Sequence, residues 1–312
     1  MATEPDKAPP IEASYKAREV EGFLDLHFYR KIGYQLALIC SRLQITPAQV
    51  TWAGAAIGIA AGHLYYYRDV RVNFAGMLLQ VLANIFDNAD GQLARLTRKS
   101  SRSGRALDGL ADHLVFVSIY AHLSLRHIAA GGSHYVWLLA LAAGASHSWQ
   151  SAAADYFRNA WLYFAKGSSG AELDSAASVQ IAFDRLFWQA APWEKFLLRV
   201  YLNYTRQQEW LSPCLSQLKQ RAEETNDSSV AHSYLEASRS SIKLLNLLAT
   251  NPRMILLFVL LFAGQPVWYF FAEVTVFNLL LFLLLRRQRI ICRGLIGAKR
   301  AVSSSNVSTR IA

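Results

Sequence analysis

DNADGQLARLTRKSSRSGRALDGLAD, residues 87–112, places four aspartates inside a stretch whose flanks are almost purely apolar. On a helix, Asp87, Asp90, Gly91, Ala94 and Arg95 fall at i, i+3, i+4, i+7 and i+8, so one face carries all five. Gly104, Asp108 and Asp112 follow at i, i+4 and i+8 on the next helix. The short basic loop between them makes the two helices antiparallel neighbours, and their acidic faces meet. Four uncompensated carboxylates in a partly desolvated cleft repel one another. Hard divalent cations such as Mg²⁺, Mn²⁺ or Ca²⁺ resolve the conflict through carboxylate oxygens. A two-metal site is the natural reading, and such sites serve phosphoryl displacement. Gly91, Ala94 and Gly104 keep the walls short, while Arg95 offers a bidentate phosphate donor one turn from the acids.

The surrounding composition is that of a membrane protein. Of 312 residues, 53% are hydrophobic and only 17% charged, too apolar for an ordinary soluble domain. We expect an all-α polytopic protein with six transmembrane helices, at about 46–67, 73–96, 104–129, 134–164, 245–264 and 266–286. The 95–105 loop carries Arg95, Arg98, Lys99, Arg102 and Arg105, and the segment RRQRIICRGLIGAKR is similarly basic. The positive-inside rule then puts both in the cytoplasm, with the protein in the cytoplasmic (inner) membrane and its active site facing the cytoplasm. The RDVR turn (68–71) falls outside with two Arg, against the rule. A net charge of +10 fits attraction to anionic head groups of membrane lipids rather than nucleic acid, because the cations flank the spans.

The organisation expected along the chain is a disordered tail (1–13), without the apolar core of a signal peptide, and an interfacial amphipathic helix (14–44). Transmembrane helices 1–4 with the acidic motif occupy 45–165, a cytoplasmic helical insertion 166–244, helices 5–6 the stretch 245–290, and a basic cytoplasmic tail 291–312. Within the insertion, ETNDSSVAHS (224–233) has the composition of a loop. Cys40, Cys214 and Cys292 suggest neither disulfides nor a metal site, and His113, His122 and His147 read as packing residues.

The pattern Asp87-x2-Asp90-Gly91-x2-Ala94-Arg95-x8-Gly104-x3-Asp108-x3-Asp112 resembles, at every fixed position, the signature of the CDP-alcohol phosphotransferases. EGFLDLHFYRKIG and ITPAQVT, ahead of the first span, look most like the branch of phosphatidylinositol phosphate synthases and archaeal di-myo-inositol phosphate phosphate synthases. The resemblance implies two Mg²⁺ or Mn²⁺ ions on Asp87, Asp90, Asp108 and Asp112, with Asp112 also the base for the acceptor hydroxyl. It implies a CDP-alcohol site lined by Gln49, Thr51, Gly91, Ala94, Arg95, Ser101 and Gly104. In the segment TPAQVT, Ala48 stands where the family has Asn, which removes one polar contact to the nucleotide. The implied reaction is attack of an acceptor alcohol on a CDP-alcohol lipid such as CDP-diacylglycerol, with CMP leaving, in a homodimer. Arg105 and Arg158 are candidates to bind a phosphorylated acceptor.

The acceptor is left open among inositol phosphate, inositol, glycerol phosphate and serine, as is transfer of a CDP-linked head group onto diacylglycerol or ceramide. A divalent-cation transporter would also place acids in the membrane, yet has no need of Gly91, Ala94 and Arg95 at fixed offsets. A non-catalytic scaffold has no need of the complete acidic set.

Overall fold

The computed structural model describes residues 19–167, 171–225 and 228–308. All regular structure among them is helical. A π-helical turn at Asp25–Tyr29 leads into α1 (Arg30–Arg42). The next helix, α2 (Pro47–Leu64), starts at a capping box: Thr46 accepts from the Gln49 N–H, Gln49 accepts from the Thr46 N–H, and Pro47 takes the first turn. Asp69 caps α3 (Val70–Leu96), and Ser101 caps α4 (Arg102–Ala129) by accepting from the Gly104 N–H. Between them the chain reverses through Arg98 at φ +53°, with Lys99 N–H bonded to the Ala94 carbonyl, a left-handed closure that a glycine ordinarily supplies.

Helix α5 (Val136–Lys166) returns to the loop side. The insertion then builds α6 (Ala176–Asp184), α7 (Pro192–Leu211), α8 (Pro213–Thr225) and α9 (Ser228–Leu245). A 3-10 turn at Asn246–Leu248 precedes α10 (Thr250–Phe262), α11 (Trp268–Val274) and α12 (Val276–Ser308).

Close approach at glycine sets the position of α2. A methyl group at Gly54 would meet Phe86 Cβ at 2.9 Å, and at Gly58 Val115 Cγ2 at 2.6 Å. At Gly62 it would meet Ser118 Oγ at 2.6 Å. One edge of α2 therefore lies directly on α3 and α4. Buried Ala37, Cys40, Val50, Ala89 and Leu93 join α1 and α2 to the end of α3. A second core, with Val115, Ile119, Leu257 and Phe270, joins α4, α10 and α11. Beneath it, the fully buried Arg253 and Glu273 form an ion pair, with Gln150 and His147 completing the network.

Six helical segments fall where six spans are expected, with α11 and α12 sharing the last. Among the described residues, two stretches are long and apolar enough to cross a membrane by length and composition, Ser229–Phe262 and Trp268–Gly297. The helices α2 to α5 fall short of that mark. The expected loop at 224–233 is shorter than its composition suggested. Helix α9 begins at Ser228, because Val230 and Tyr234 stand one turn apart and bury in the core with α5 and α12. The basic segment from 291 is likewise not a loose tail in its described part. Helix α12 continues through it, since Leu284, Gln288 and Cys292 form a buried stripe at four-residue spacing, and Gln288 donates to Tyr234 Oη. The expected tail at 1–13 lies outside the described residues, as do 309–312.

Candidate active site

The antiparallel packing of α3 and α4 brings the aspartates together. One carboxylate oxygen from each of Asp87, Asp90 and Asp108 lies within 4.8 Å of the others. Asp112, one turn further along α4, lines the same cleft, whose space is about 400 Å³ including its open mouth. Asp87 and Asp112 face the open side, Asp108 is half-buried, and Asp90 is buried. Thr51, from α2, donates its hydroxyl to Asp90 Oδ2 at 2.6 Å. That bond fixes the orientation of a buried carboxylate. All four groups are hard oxygen donors, the set suited to Mg²⁺ or Mn²⁺. The spacing fits divalent cations held between the two helices.

The remaining predicted residues distribute unevenly. Thr51 is in the cleft wall. Gln49 is exposed and spends its side chain on the capping box, accepting from Thr46 N–H at 2.8 Å. Arg95 folds back along α3 so that its guanidinium lies 3.6 Å from where a Gly91 side chain would begin. A larger residue at 91 would push it aside. Ala94 is half-buried, and Ser101 and Gly104 pair with each other as the cap of α4. These positions follow or flank the aspartates in sequence and are not part of the cleft wall.

Arg105 and Arg158 have different surroundings. Arg105 donates to Asp174 Oδ2 at 2.6 Å and to Tyr201 Oη at 3.1 Å, while Arg102 reaches Asp174 Oδ1 at 2.6 Å. Burial alone would raise the Asp174 carboxyl, but the Arg102 hydrogen bond and the two arginine charges outweigh it and hold it below the usual carboxylate range. Arg158 does not pair with the nearby Asp155, which accepts from Asn159, Tyr204 and Gln208. It feels the charge of Asp25 instead, and Asp25 accepts from Asn251, next to the cleft residue Thr250.

Three polar cleft residues escaped sequence reasoning: Gln80, Asn84 and Thr250. Asn84 and Gln80 precede Asp87 by three and seven positions on one helix face, a periodicity that extends the motif backwards. Gln80 Oε1 is a buried acceptor without a donor among the described residues. Thr250 arrives from α10, and no local pattern announces it. Of the histidines, His147 packs against Phe116, with ring centroids 3.9 Å apart, and His122 meets His63 away from the cleft, while His113 is exposed and bonds back to the Gly109 carbonyl.

Comparison with known proteins agrees with this geometry. Residues 44–159 match the family model of CDP-alcohol phosphatidyltransferase, a segment that holds the whole acidic centre. Over 121 residues the chain is 31% identical to a bifunctional IPC transferase and DIPP synthase of Thermococcus kodakarensis, an alignment covering 39% of this chain and 27% of that protein. The chain thus spans about a quarter of the length of this curated relative. It is an archaeal relative from the side of the family that the segment before α2 resembles.

Proposed function

We propose that the protein is a membrane-embedded, divalent-metal-dependent transferase that moves a substituted phosphoryl group from a CDP-alcohol, such as CDP-diacylglycerol, to an acceptor alcohol with release of CMP. The observation that carries this is the convergence of Asp87, Asp90 and Asp108 in one cleft with Asp112.

Each residue then has a task. Asp87, Asp90, Asp108 and Asp112 hold two Mg²⁺ or Mn²⁺ ions, which when bound neutralise charge on the pyrophosphate and on the leaving CMP. Thr51 orients Asp90 for that task. Arg95, Gly91, Ala94, Ser101 and Gly104 receive the CDP phosphates, with Gln49 at the nucleotide's edge. Asp112, on the open side, takes the proton of the acceptor hydroxyl, so that the new oxygen–phosphorus bond forms as the bond to CMP breaks. Most of the acceleration comes from in-line positioning and charge stabilisation.

Six spans complete the reading. Ile255, Val259 and Phe262 on α10, and Leu279, Phe282 and Leu283 on α12, point outward as exposed apolar stripes suited to lipid. The cleft mouth and the basic α3–α4 loop then share the cytoplasmic face of the inner membrane. The acceptor we favour is inositol phosphate or inositol, supported by the likeness to the Thermococcus protein and the residues before α2.

The test is direct. Purified protein with CDP-diacylglycerol and Mg²⁺ is offered a panel of acceptors, with CMP release measured and the lipid product identified by mass spectrometry. CMP release that depends on an acceptor supports the reading; none with any acceptor, CDP-linked head groups with diacylglycerol included, sinks it.

A further inference from the structure

We propose that the connection between α6 and α7, together with the start of α7, is a membrane-interface anchor that inserts into the cytoplasmic leaflet beside the transmembrane core. Helix α7 commits one face inward: Leu197, Tyr201 and Leu202 bury against Ala106 and Leu107 at the start of α4. Its other side is exposed and aromatic. Phe187 is 70% exposed, and Trp188, Trp193 and Phe196 are each at least 41% exposed. A water-facing loop has no use for four such side chains within ten residues.

Two tryptophan pairs tie α7 to the core, and the pair at its start gives the height of this surface, Trp149 lying midway along the expected span 134–164. Trp193 lies 6.4 Å from Trp52 of α2, and at the far end of α7 Trp210 lies 5.1 Å from Trp149 of α5. Seventeen residues of helix separate Trp193 from Trp210, about 25 Å. Helix α7 is therefore slung between α2 and α5, with a half-exposed indole pair at each end. Indoles such as Trp52 and Trp193, at the loop-side ends of α2 and α7, combine an apolar body with a polar N–H, and such groups collect where hydrocarbon meets head groups. The patch around Trp193 continues directly into the outward face of α2, where Ile59 is exposed.

Charge supports lipid as the occupant. Lys195 Nζ lies 4.5 Å from the Phe183 ring centroid and 5.6 Å from that of Trp188, and Arg199 lies over Phe183 at 5.9 Å. With exposed Arg185 they make three cations among the aromatics, against Asp184 and Glu194. The charged heads themselves lie over the rings, Lys195 also donating to the Leu186 carbonyl at 2.5 Å, so positive charge is held within the aromatic surface, where an anionic leaflet attracts it.

The inference rests on α2 and α5 crossing the bilayer, and the experiment separates the two. The full chain is reconstituted in vesicles of phosphatidylcholine and phosphatidylglycerol containing a phosphatidylcholine with a photoreactive diazirine on its acyl chain. Adducts are mapped by mass spectrometry. Expected are adducts on 185–196 as well as on α12 between 276 and 285, with the former increasing several-fold as the anionic fraction rises. In the folded triple variant Arg185→Gln, Lys195→Gln, Arg199→Gln, that increase is lost. Adducts on α12 with none on 185–196 overturn the anchor while leaving the membrane core intact. Absence from both overturns the spanning reading beneath it. In a parallel sample treated with a bifunctional lysine reagent, copy-to-copy cross-links through Lys195 without lipid adducts on 185–196 overturn the anchor in favour of a second copy of the chain.

Discussion

Arg105 Nη2 donates to Asp174 Oδ2 at 2.6 Å, so a carboxylate of the insertion satisfies a guanidinium one turn before Asp108. Any phosphate drawn to Arg105 has to compete with that internal anion. Arg158 has no comparable carboxylate in hydrogen-bonding contact among the described residues.

The two arginines therefore separate kinetically if the acceptor is phosphorylated. Arg158→Ala is expected to raise the acceptor KM by about 10- to 150-fold, the equivalent of one charge-assisted contact of about 1.5–3 kcal/mol, with little change in the KM for the CDP-lipid. Asp174→Asn is expected to lower the acceptor KM by releasing Arg105, and Arg105→Ala to raise it. Steady-state kinetics with both substrates varied decide the matter. An acceptor KM indifferent to all three substitutions points to a neutral alcohol.

Asp174 also gives an acid sensitivity of definite sign. Its folded-state pKa is depressed below the ordinary 3.8. The stability it contributes is thus fully present above that value and is lost as pH falls through the lower, folded one. The Tm of the wild type should drop more steeply below about pH 4 than that of Asp174→Asn. Parallel acid limbs in the two proteins would contradict the assignment.

Thr51→Val keeps the shape of the side chain and removes the hydroxyl that Asp90 accepts from. Loss of such an outer hydrogen bond costs about 10- to 100-fold in metal affinity or activity, and Thr51→Ser should recover most of it. Mn²⁺ binding by titration calorimetry provides a readout independent of turnover. Unaltered Mn²⁺ affinity in Thr51→Val would confine the residue to helix packing.

Chelation by EDTA should abolish CMP release, and Mg²⁺ or Mn²⁺ should restore it. Asp112→Asn is expected to bind CDP-lipid while losing at least ~100-fold in kcat, the scale of general-base removal. Wild-type turnover in that variant moves the base elsewhere.

Arg253→Met strands the buried Glu273 and should destabilise the protein by about 3–5 kcal/mol, whereas Arg253→Met combined with Glu273→Leu should regain much of the loss. Thermal unfolding in detergent compares them. A single variant as stable as the wild type would show that the pair is dispensable.

The acidic centre was legible because its information is local. Asp87, Asp90, Asp108 and Asp112 belong to two consecutive helices, and helical periodicity alone aligns them. Thr51 was legible through the family pattern before α2. Gln80 and Asn84 obeyed the same period but carried no charge to draw the eye. Thr250, Asn251 and the Arg105–Asp174 contact depend on how distant helices dock, which no window of sequence encodes. The continuation of α12 was hidden by composition: its arginines masked the stripe of Leu284, Gln288 and Cys292. The loop reading at 224–233 ran too long for a similar reason, because polar composition outweighed the spacing of Val230 and Tyr234.

The bare Cα atoms along α2 have one last consequence. Gly54 stands 3.8 Å, measured from where its side chain would begin, from the backbone nitrogen of Asp87, and Gly58 abuts Val115, three residues beyond Asp112. Helix α2 thus works as a gauge block: the absence of side chains on that edge sets how far α3 and α4 stand from it, and with them the spread of the carboxylates each contributes. Altering this ruler by a single methyl would retune the carboxylate spacing without touching a carboxylate, so in the transferase proposed above metal preference would be written partly in residues that never meet a metal.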